Sequence, residues 1–441
     1  MNVKVDFNNV SGKIKPMHCV NNGPVPGRPT QPRSNFDTYK AARIPYARNH
    51  DASEWIDFGG EHVVDIYSIF PDFDADPYDP ASYDFICTDD YTKVIVDAGT
   101  EVFYRLGARI EHERKKYRTI MPKDFLKWAV ICEHVILHYN EGWADGFHYN
   151  IKYWEVWNEA DLDDDDSEHK RNWSGTAKDF YEFYEVAATY LKERFPHLMI
   201  GGPSIANRVG KWYDDFLDHM TKDGKRVPID FLSWHWYGAD VAKMINRAHT
   251  VKEKLIKAGY TEAESILNEW NYVCGWREKY VDSIRVIISM KGAAFTTACM
   301  LAAQNDETID MLMYYEASPC TFNGMWNFYT MEPIKGYWSL YSFADLYDLG
   351  TAVKTESDDK DVYAVGAKDE NGNKAVLVCY YTDEQDREEK TVTVDLEGYG
   401  SGETDLYRVD DDHDYTVCET HGGNRVTFKM KPNTFVMLKS K

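Results

Sequence analysis

Positive charge is scarce in this 441-residue sequence, where 50 Lys and Arg face 73 Asp and Glu for a formal net charge of −23 and a sequence pI near 5.0. Such a surface repels phosphate backbones and anionic bilayers, so neither nucleic acid nor a membrane is expected as a partner. No apolar run is long enough to span a bilayer. The opening residues, MNVKVDFNNVSG, lack the basic stretch followed by an apolar one that marks a secretory leader, and the expectation is a cytoplasmic protein. Without a leader, the sequons at Asn9 and Asn172 carry little weight. The eight cysteines, at 19, 87, 132, 274, 299, 320, 379 and 418, form no CxxC pairs and no dense disulfide pattern, so they read as thiols of the core. His134 and His138 share a helix face without HExxH. The acidic run DLDDDD at 161 to 166 lacks the glycine and terminal glutamate of a calcium loop and reads as solvated. No metal or cofactor is expected, and the sequence leaves a monomer and a homo-oligomer both open.

Aromatic residues are abundant, with 13 Trp, 31 Tyr and 20 Phe, and their distribution shows the organisation. From about residue 13 to 350, short β-rich runs alternate with helical patterns. The strand candidates are 14 to 20, 42 to 48, 101 to 107, 151 to 157, 198 to 204, 229 to 237, 264 to 270 and 310 to 316. Amphipathic segments lie between them, including 123 to 140 and 178 to 195, the latter halted by Pro196. Eight such βα units predict a (β/α)8 TIM barrel over 13–350. A doubly wound sheet is the rival, but no GxGxxG follows the first strand. After 350 the pattern changes to alternating short strands around an Asn-Gly turn, as in DVYAVGAKDENGNKAVLVCYY. This predicts an accessory antiparallel β-sandwich over 351–441, completed by residues 1–12.

Catalytic groups of such barrels sit at the C-terminal ends of the strands. Glu159 falls there on the fourth strand and Glu269 on the seventh, so residues 110 apart in sequence are expected to face one pocket. Two carboxylates about 5 to 5.5 Å apart are the apparatus of retaining glycoside hydrolysis, one attacking the anomeric carbon and the other acting as acid and then base. One glutamate at a strand end is more simply a solvated loop residue. Two in the same position favour chemistry.

The motif WEVWNEADL at 154 to 162, with LNEW at 267 to 270, resembles the glycoside hydrolases of clan A and, more narrowly, family 39. That family includes β-xylosidases, α-L-iduronidases and some arabinofuranoside-cleaving enzymes. ARNHD at 47 to 51, GGPS at 201 to 204, DFLSWHWYG at 230 to 238 and YYEASPCTFNGMWN at 314 to 327 extend the likeness over most of the barrel. The terminal TFVMLK suits the family's β-domain. The resemblance implies Glu159 as acid/base, Glu269 as nucleophile and Asn158 as ligand of the sugar 2-hydroxyl. It also implies Tyr237 as donor to the nucleophile, His50 and His235 as sugar contacts, and Glu316 as acceptor from sugar hydroxyls. Arg48 matches the clan's strand-two arginine, lowering the nucleophile's pKa. Where family xylosidases commonly read NEPN, this chain has NEAD, which puts the neighbouring substrate loop in question.

Structural alternatives stand beside these roles. Arg48 could instead neutralise Glu155, which is expected to point into the barrel, and the histidines could be hydrogen-bonded core residues. Trp154, Trp157, Trp234 and Trp270 could be packing. Trp326, in a predicted loop over the barrel mouth, is the better candidate for stacking on sugar. Together the observations predict a retaining exo-glycosidase acting on an oligosaccharide or glycoside that ends in a pentose. An iduronide-cleaving enzyme would need cations for the uronate carboxylate, and no strongly basic stretch stands at the strand ends. A sugar-binding barrel without turnover would have lost one of the two carboxylates.

Overall fold

The computed structural model describes residues 1–29, 32–51, 62–206, 208–400 and 402–441. The chain starts with β1 (Asn2–Lys13) and then lays down β2 (Cys19–Asn21), β3 (Tyr46–Arg48), β4 (Glu101–Leu106) and β5 (Tyr153–Val156). β6 (Met199–Ile205), β7 (Phe231–Gly238), β8 (Glu264–Tyr272) and β9 (Met311–Tyr314) follow. Strands β2 to β9 close in sequence order into a parallel eight-stranded barrel, as the alternation of runs predicted. Each lies within or overlaps its predicted run. The helices are begun and ended by local chemistry. Asp124 accepts from Lys127 N to open Phe125–Glu141, and Gly142 stops that helix with φ of 78°. Thr176 and Asp179 form a reciprocal capping box on Ala177–Arg194.

The barrel interior is layered. Cys19, Phe103, Tyr153, Phe231, Ile266 and Met313 form an apolar plug at the N-terminal end. Above it lies a polar layer of Arg48, Glu155, Asn21 and Asn268, all fully buried. The C-terminal ends of the strands rise from this layer to the mouth.

The remaining strands are β10 (Thr351–Ser357), β11 (Val362–Lys368), β12 (Lys374–Tyr380), β13 (Lys390–Glu397), β14 (Glu403–Val409), β15 (Asp414–Gly422), β16 (Arg425–Met430) and β17 (Thr434–Ser440). With β1 they make one nine-stranded sheet. Its edge strands, β15 and β16, are joined by only two residues, 423 and 424, so the sheet must curl back on itself. Along β12, Val376, Val378 and Tyr380 enter the core enclosed by this curl, while Ala375, Leu377 and Cys379 face the barrel's core. Both faces are covered, which is why that run reads as continuously apolar. One feature departs from the expected antiparallel pattern, because β1 is antiparallel to β10 but parallel to β13. The other edge of β12 is taken by β17, so the chain carries β13 across to the exposed side of β1. The helix Met290–Asn305 packs against β11, β12 and β17 and joins barrel to sheet. Among the described residues no single helix is long and apolar enough to cross a membrane.

Candidate active site

Glu159 is positioned by an unusual turn. β5 ends at Val156, and Trp157 N then donates to Leu106 O at 2.6 Å while Glu159 N donates to Ser204 O at 3.0 Å. Neighbouring strands thus hold the turn from both sides. Trp157 and Glu159 have φ of 74° and 48°, left-handed values that ordinary residues adopt only when their surroundings impose them. Gly107 is required at this point, since a Cβ there would lie 2.9 Å from Trp157 Cα. The Glu159 side chain, 14% exposed, accepts from Asn172 Nδ2 at 3.1 Å, and its other oxygen lies 2.8 Å from His235 Nδ1.

Glu269 reaches the same point through a β-bulge. Trp234 pairs with Leu267 but His235 with Glu269, so Asn268 is an extra residue in β8. The bulge turns consecutive side chains inward, Asn268 to Glu155 (2.6 Å) and Glu269 to Tyr237 and Arg48. Tyr237 Oη donates to Glu269 Oε1 at 2.6 Å, and Arg48 Nη1 donates to Oε2 at 3.3 Å. Arg48 also donates through Nε to Glu155 at 2.7 Å and through Nη2 to Asn158 Oδ1 at 2.7 Å. The two readings of Arg48 are therefore not alternatives, because one buried guanidinium serves both carboxylates.

A carboxylate oxygen of Glu159, one of Glu269 and a nitrogen of His235 lie within 4.8 Å of one another. Such a trio could gather a cation, but Arg48 already places positive charge against Glu269. A hydrogen-bond chain leads away from Glu159 through this cluster. With Glu159 protonated, its O–H faces His235 Nδ1, Nε2–H donates to Ser204 Oγ at 2.6 Å, and that hydroxyl donates to Asn158 Oδ1 at 3.3 Å. Burial, reinforced by the Asp161 carboxylate, pushes the Glu159 acid up to about 8. Burial also raises Glu269, against the pull of Arg48 and Tyr237. Arg48 thus exerts the lowering influence expected of it without setting the direction. Burial lowers His235, favouring neutral imidazole.

Strands β2, β3 and β9 supply a second polar wall. Glu316 is buried and accepts from Asn22, Ser318 and Cys320, with burial and Asp51 pushing it up to about 7. The Tyr315–Glu316 peptide is cis. His50, 4% exposed and kept neutral by burial and by Arg48, has no hydrogen-bond partner for Nδ1 among the described residues.

Trp326 is not at the mouth. Asn323 Oδ1 accepts from Met325 N and Trp326 N, which turns that loop inward, and the indole stacks on Tyr39 and donates to Thr38 Oγ1 at 2.8 Å. It is 1% exposed and offers no face to a sugar. The acidic run is not simply solvated either. Asp161 is 1% exposed and accepts from Ala206 N and Arg208 N, while Asp163 pairs with Arg171 at 2.7 Å. His134 Nδ1 lies 2.8 Å from Val130 O with its ring against Tyr78 and Trp143, and His138 lies 2.9 Å from Asp89, stacked on Phe85. Trp154, Trp157, Trp234 and Trp270 are fully buried packing residues. Sequence reasoning missed Ser204, Asn172, Asp161 and Asn268. Ser204 lay within the quoted GGPS motif and Asn172 within a sequon, but no local pattern announces a contact across the barrel.

A closed parallel barrel with two glutamates this close at the strand ends defines a glycoside-hydrolase architecture. The family model described as glycosyl hydrolases family 39 matches residues 1–268, more than half of the chain, and the chain belongs to that family. The match includes Glu159 and stops one residue before Glu269. A β-xylosidase of Caldicellulosiruptor saccharolyticus is 27% identical over 187 residues, 40% of this chain and 35% of that protein. A β-xylosidase of Geobacillus stearothermophilus is 35% identical over 119 residues, 26% of this chain and 21% of that protein. The aligned part thus spans about a third or less of these relatives' length. In fold, a glucosidase of Croceicoccus marinus superposes with a TM-score of 0.80 over 100% of this chain and 98% of that one, at 22% identity.

Proposed function

We propose that this chain is a retaining exo-glycosidase that removes a terminal pentose, of the β-xyloside or arabinofuranoside type, from oligosaccharides or glycosides. The observation that carries the reading is the Glu159–Glu269 pair, whose oxygens approach within 4.8 Å. That spacing belongs to the roughly 5 to 5.5 Å class of double displacement rather than the roughly 6.5 to 9.5 Å class that holds a water between the carboxyls. Glu269, with Arg48 and Tyr237 stabilising its anion, attacks the anomeric carbon. Glu159 carries its proton at neutral pH, gives it to the departing oxygen, and as an anion takes one from the incoming water. Arg48 orients Asn158 towards the sugar by holding its carbonyl end, and His50 Nδ1, without a partner among the described residues, suits a sugar hydroxyl.

The pentose reading draws support from the two relatives named β-xylosidases. A neutral sugar also suits the charges, because Arg48 and Arg109 are each paired with carboxylates and stand poorly placed to hold a uronate. A panel of p-nitrophenyl β-xyloside, α-L-arabinofuranoside, β-glucoside and a synthetic iduronide on purified protein tests this. Pentoside turnover at least tenfold above the others is expected. Preferred release of iduronate or glucose would refute the substrate class, and sugar binding without any turnover would favour a binding protein.

A further inference from the structure

Trp276 is the one tryptophan that is exposed among the described residues, at 56%. It lies in the segment that follows β8, with its ring edge-on to Tyr237 at 5.1 Å, 6.1 Å from Phe322, and nearly parallel to Tyr280 at 6.3 Å. Tyr237 in turn donates to Glu269. The indole therefore stands one aromatic ring further out than the nucleophile's own hydrogen-bond partner. A supported, solvent-facing indole continuous with a polar site marks a place for a ligand with an apolar face.

We propose that Trp276, backed by Tyr237 and Phe322, is the floor of the leaving-group subsite, where the sugar ring next to the scissile bond stacks through its C–H face. The inference rests on the glycosidase reading. The polar wall of Asn22, His50, Asp51 and Glu316 belongs to β2, β3 and β9, and the attacked sugar takes its hydroxyl contacts there. Tyr237 approaches Glu269 from β7, Trp276 stands beyond it in the segment after β8, and Phe322, on the loop after β9, closes the platform against Tyr315 at the edge of that wall. Glu159 delivers its proton from β5, across the mouth. With the attacked sugar seated over Glu269, the next ring along the saccharide is the one that reaches an indole standing one aromatic ring beyond Tyr237. The indole both buries the C–H face of such a ring and fixes its orientation.

The test compares a substrate whose leaving group has a ring with one whose leaving group has none: xylobiose against β-xylosyl fluoride, or the arabinosyl equivalents if arabinose is the sugar released. In Trp276→Ala, kcat/KM for the disaccharide should fall about tenfold relative to the fluoride, mainly through KM, and Trp276→Phe should recover most of the loss. The fluoride reports folding and the chemical centre in the same preparation. Equal losses on both substrates, or a loss on neither, would overturn the subsite. A wild-type protein that turns over neither substrate fails the glycosidase reading itself and takes the subsite with it.

Discussion

Replacing Asp161 by Asn removes one negative charge beside the acid/base while changing almost no volume. Asp161 sits two residues from Glu159, is 1% exposed, and is the largest influence after burial in raising the Glu159 acid from 4.5 to about 8. That rise of about 3.5 units corresponds to ~5 kcal/mol of preference for the protonated form, most of it from burial. A single neighbouring like charge typically accounts for on the order of one pH unit of such a rise. Arg48 and Arg171 pull the other way, and with Asp161 neutral only burial opposes them. The sign is fixed: losing an anion eases ionisation of Glu159, so the acid gives up its proton at lower pH. The alkaline limb of kcat/KM, which reports the free enzyme, should move to lower pH by about one unit in Asp161→Asn. At pH 5 to 6, where Glu159 stays protonated in both proteins, kcat/KM should fall much less. The backbone bonds from Ala206 and Arg208 fall on different oxygens of Asp161, so Asn keeps one and loses about 1 kcal/mol of stability. An alkaline limb that stays in place, or moves to higher pH, would refute the assignment of Asp161 and of Glu159 as the titrating acid.

Three further outcomes follow from the same geometry. Glu159 is held protonated in the native state above the pH at which it ionises in the unfolded chain, so its contribution is full below about 4.5 and is lost as pH rises towards about 8. Glu159→Gln should therefore raise Tm at pH 7, by up to ~3 kcal/mol of stability, and change little at pH 4; calorimetry at the two pH values checks this. Arg48→Met leaves Glu155 and Glu269 buried without their cation, and chemical denaturation should register a loss of about 3 to 5 kcal/mol, with equal stability as the contrary result. Trp326→Ala should also cost about 3 to 5 kcal/mol by opening a cavity beside Tyr39, yet leave KM within twofold at a temperature where the variant is folded. A large rise in KM would return Trp326 to the sugar site.

The barrel was legible because each strand is a short β-rich run bounded by turn signals and followed by a 3.6-residue periodicity, and both periodicities are properties of local sequence. Glu159 and Glu269 were legible for a related reason, since each ends such a run and strand ends of a parallel barrel converge. The contacts of Arg48, His235 and Tyr237 with these two are long-range, and their roles, like that of Asn158, came from resemblance rather than spacing. What stayed hidden depends on how the backbone departs from regularity. The bulge at Asn268 sends two consecutive side chains inward, which strict alternation forbids, and the positive φ of Glu159 has no signature because the neighbouring strands impose it. Trp326 and Trp276 are indistinguishable as aromatic residues of loops after strands. Asn323 folds one of them inward through two backbone hydrogen bonds, while the other stays 56% exposed among the described residues. The acidic run likewise reads as solvent-facing until Asp161 is seen to accept two backbone N–H groups from the loop after β6.

As the nucleophile of a double displacement, Glu269 becomes covalently attached to sugar during turnover. A 2-deoxy-2-fluoro glycoside of the preferred pentose with a dinitrophenyl leaving group slows the oxocarbenium-like steps but still permits the first, so the adduct accumulates. Mass spectrometry of a tryptic digest should find one fluoroglycosyl unit on the peptide spanning residues 258 to 277, with fragmentation placing it on Glu269. Label at another residue, or rapid turnover whose first-formed sugar has inverted anomeric configuration by NMR, would contradict the two-glutamate mechanism.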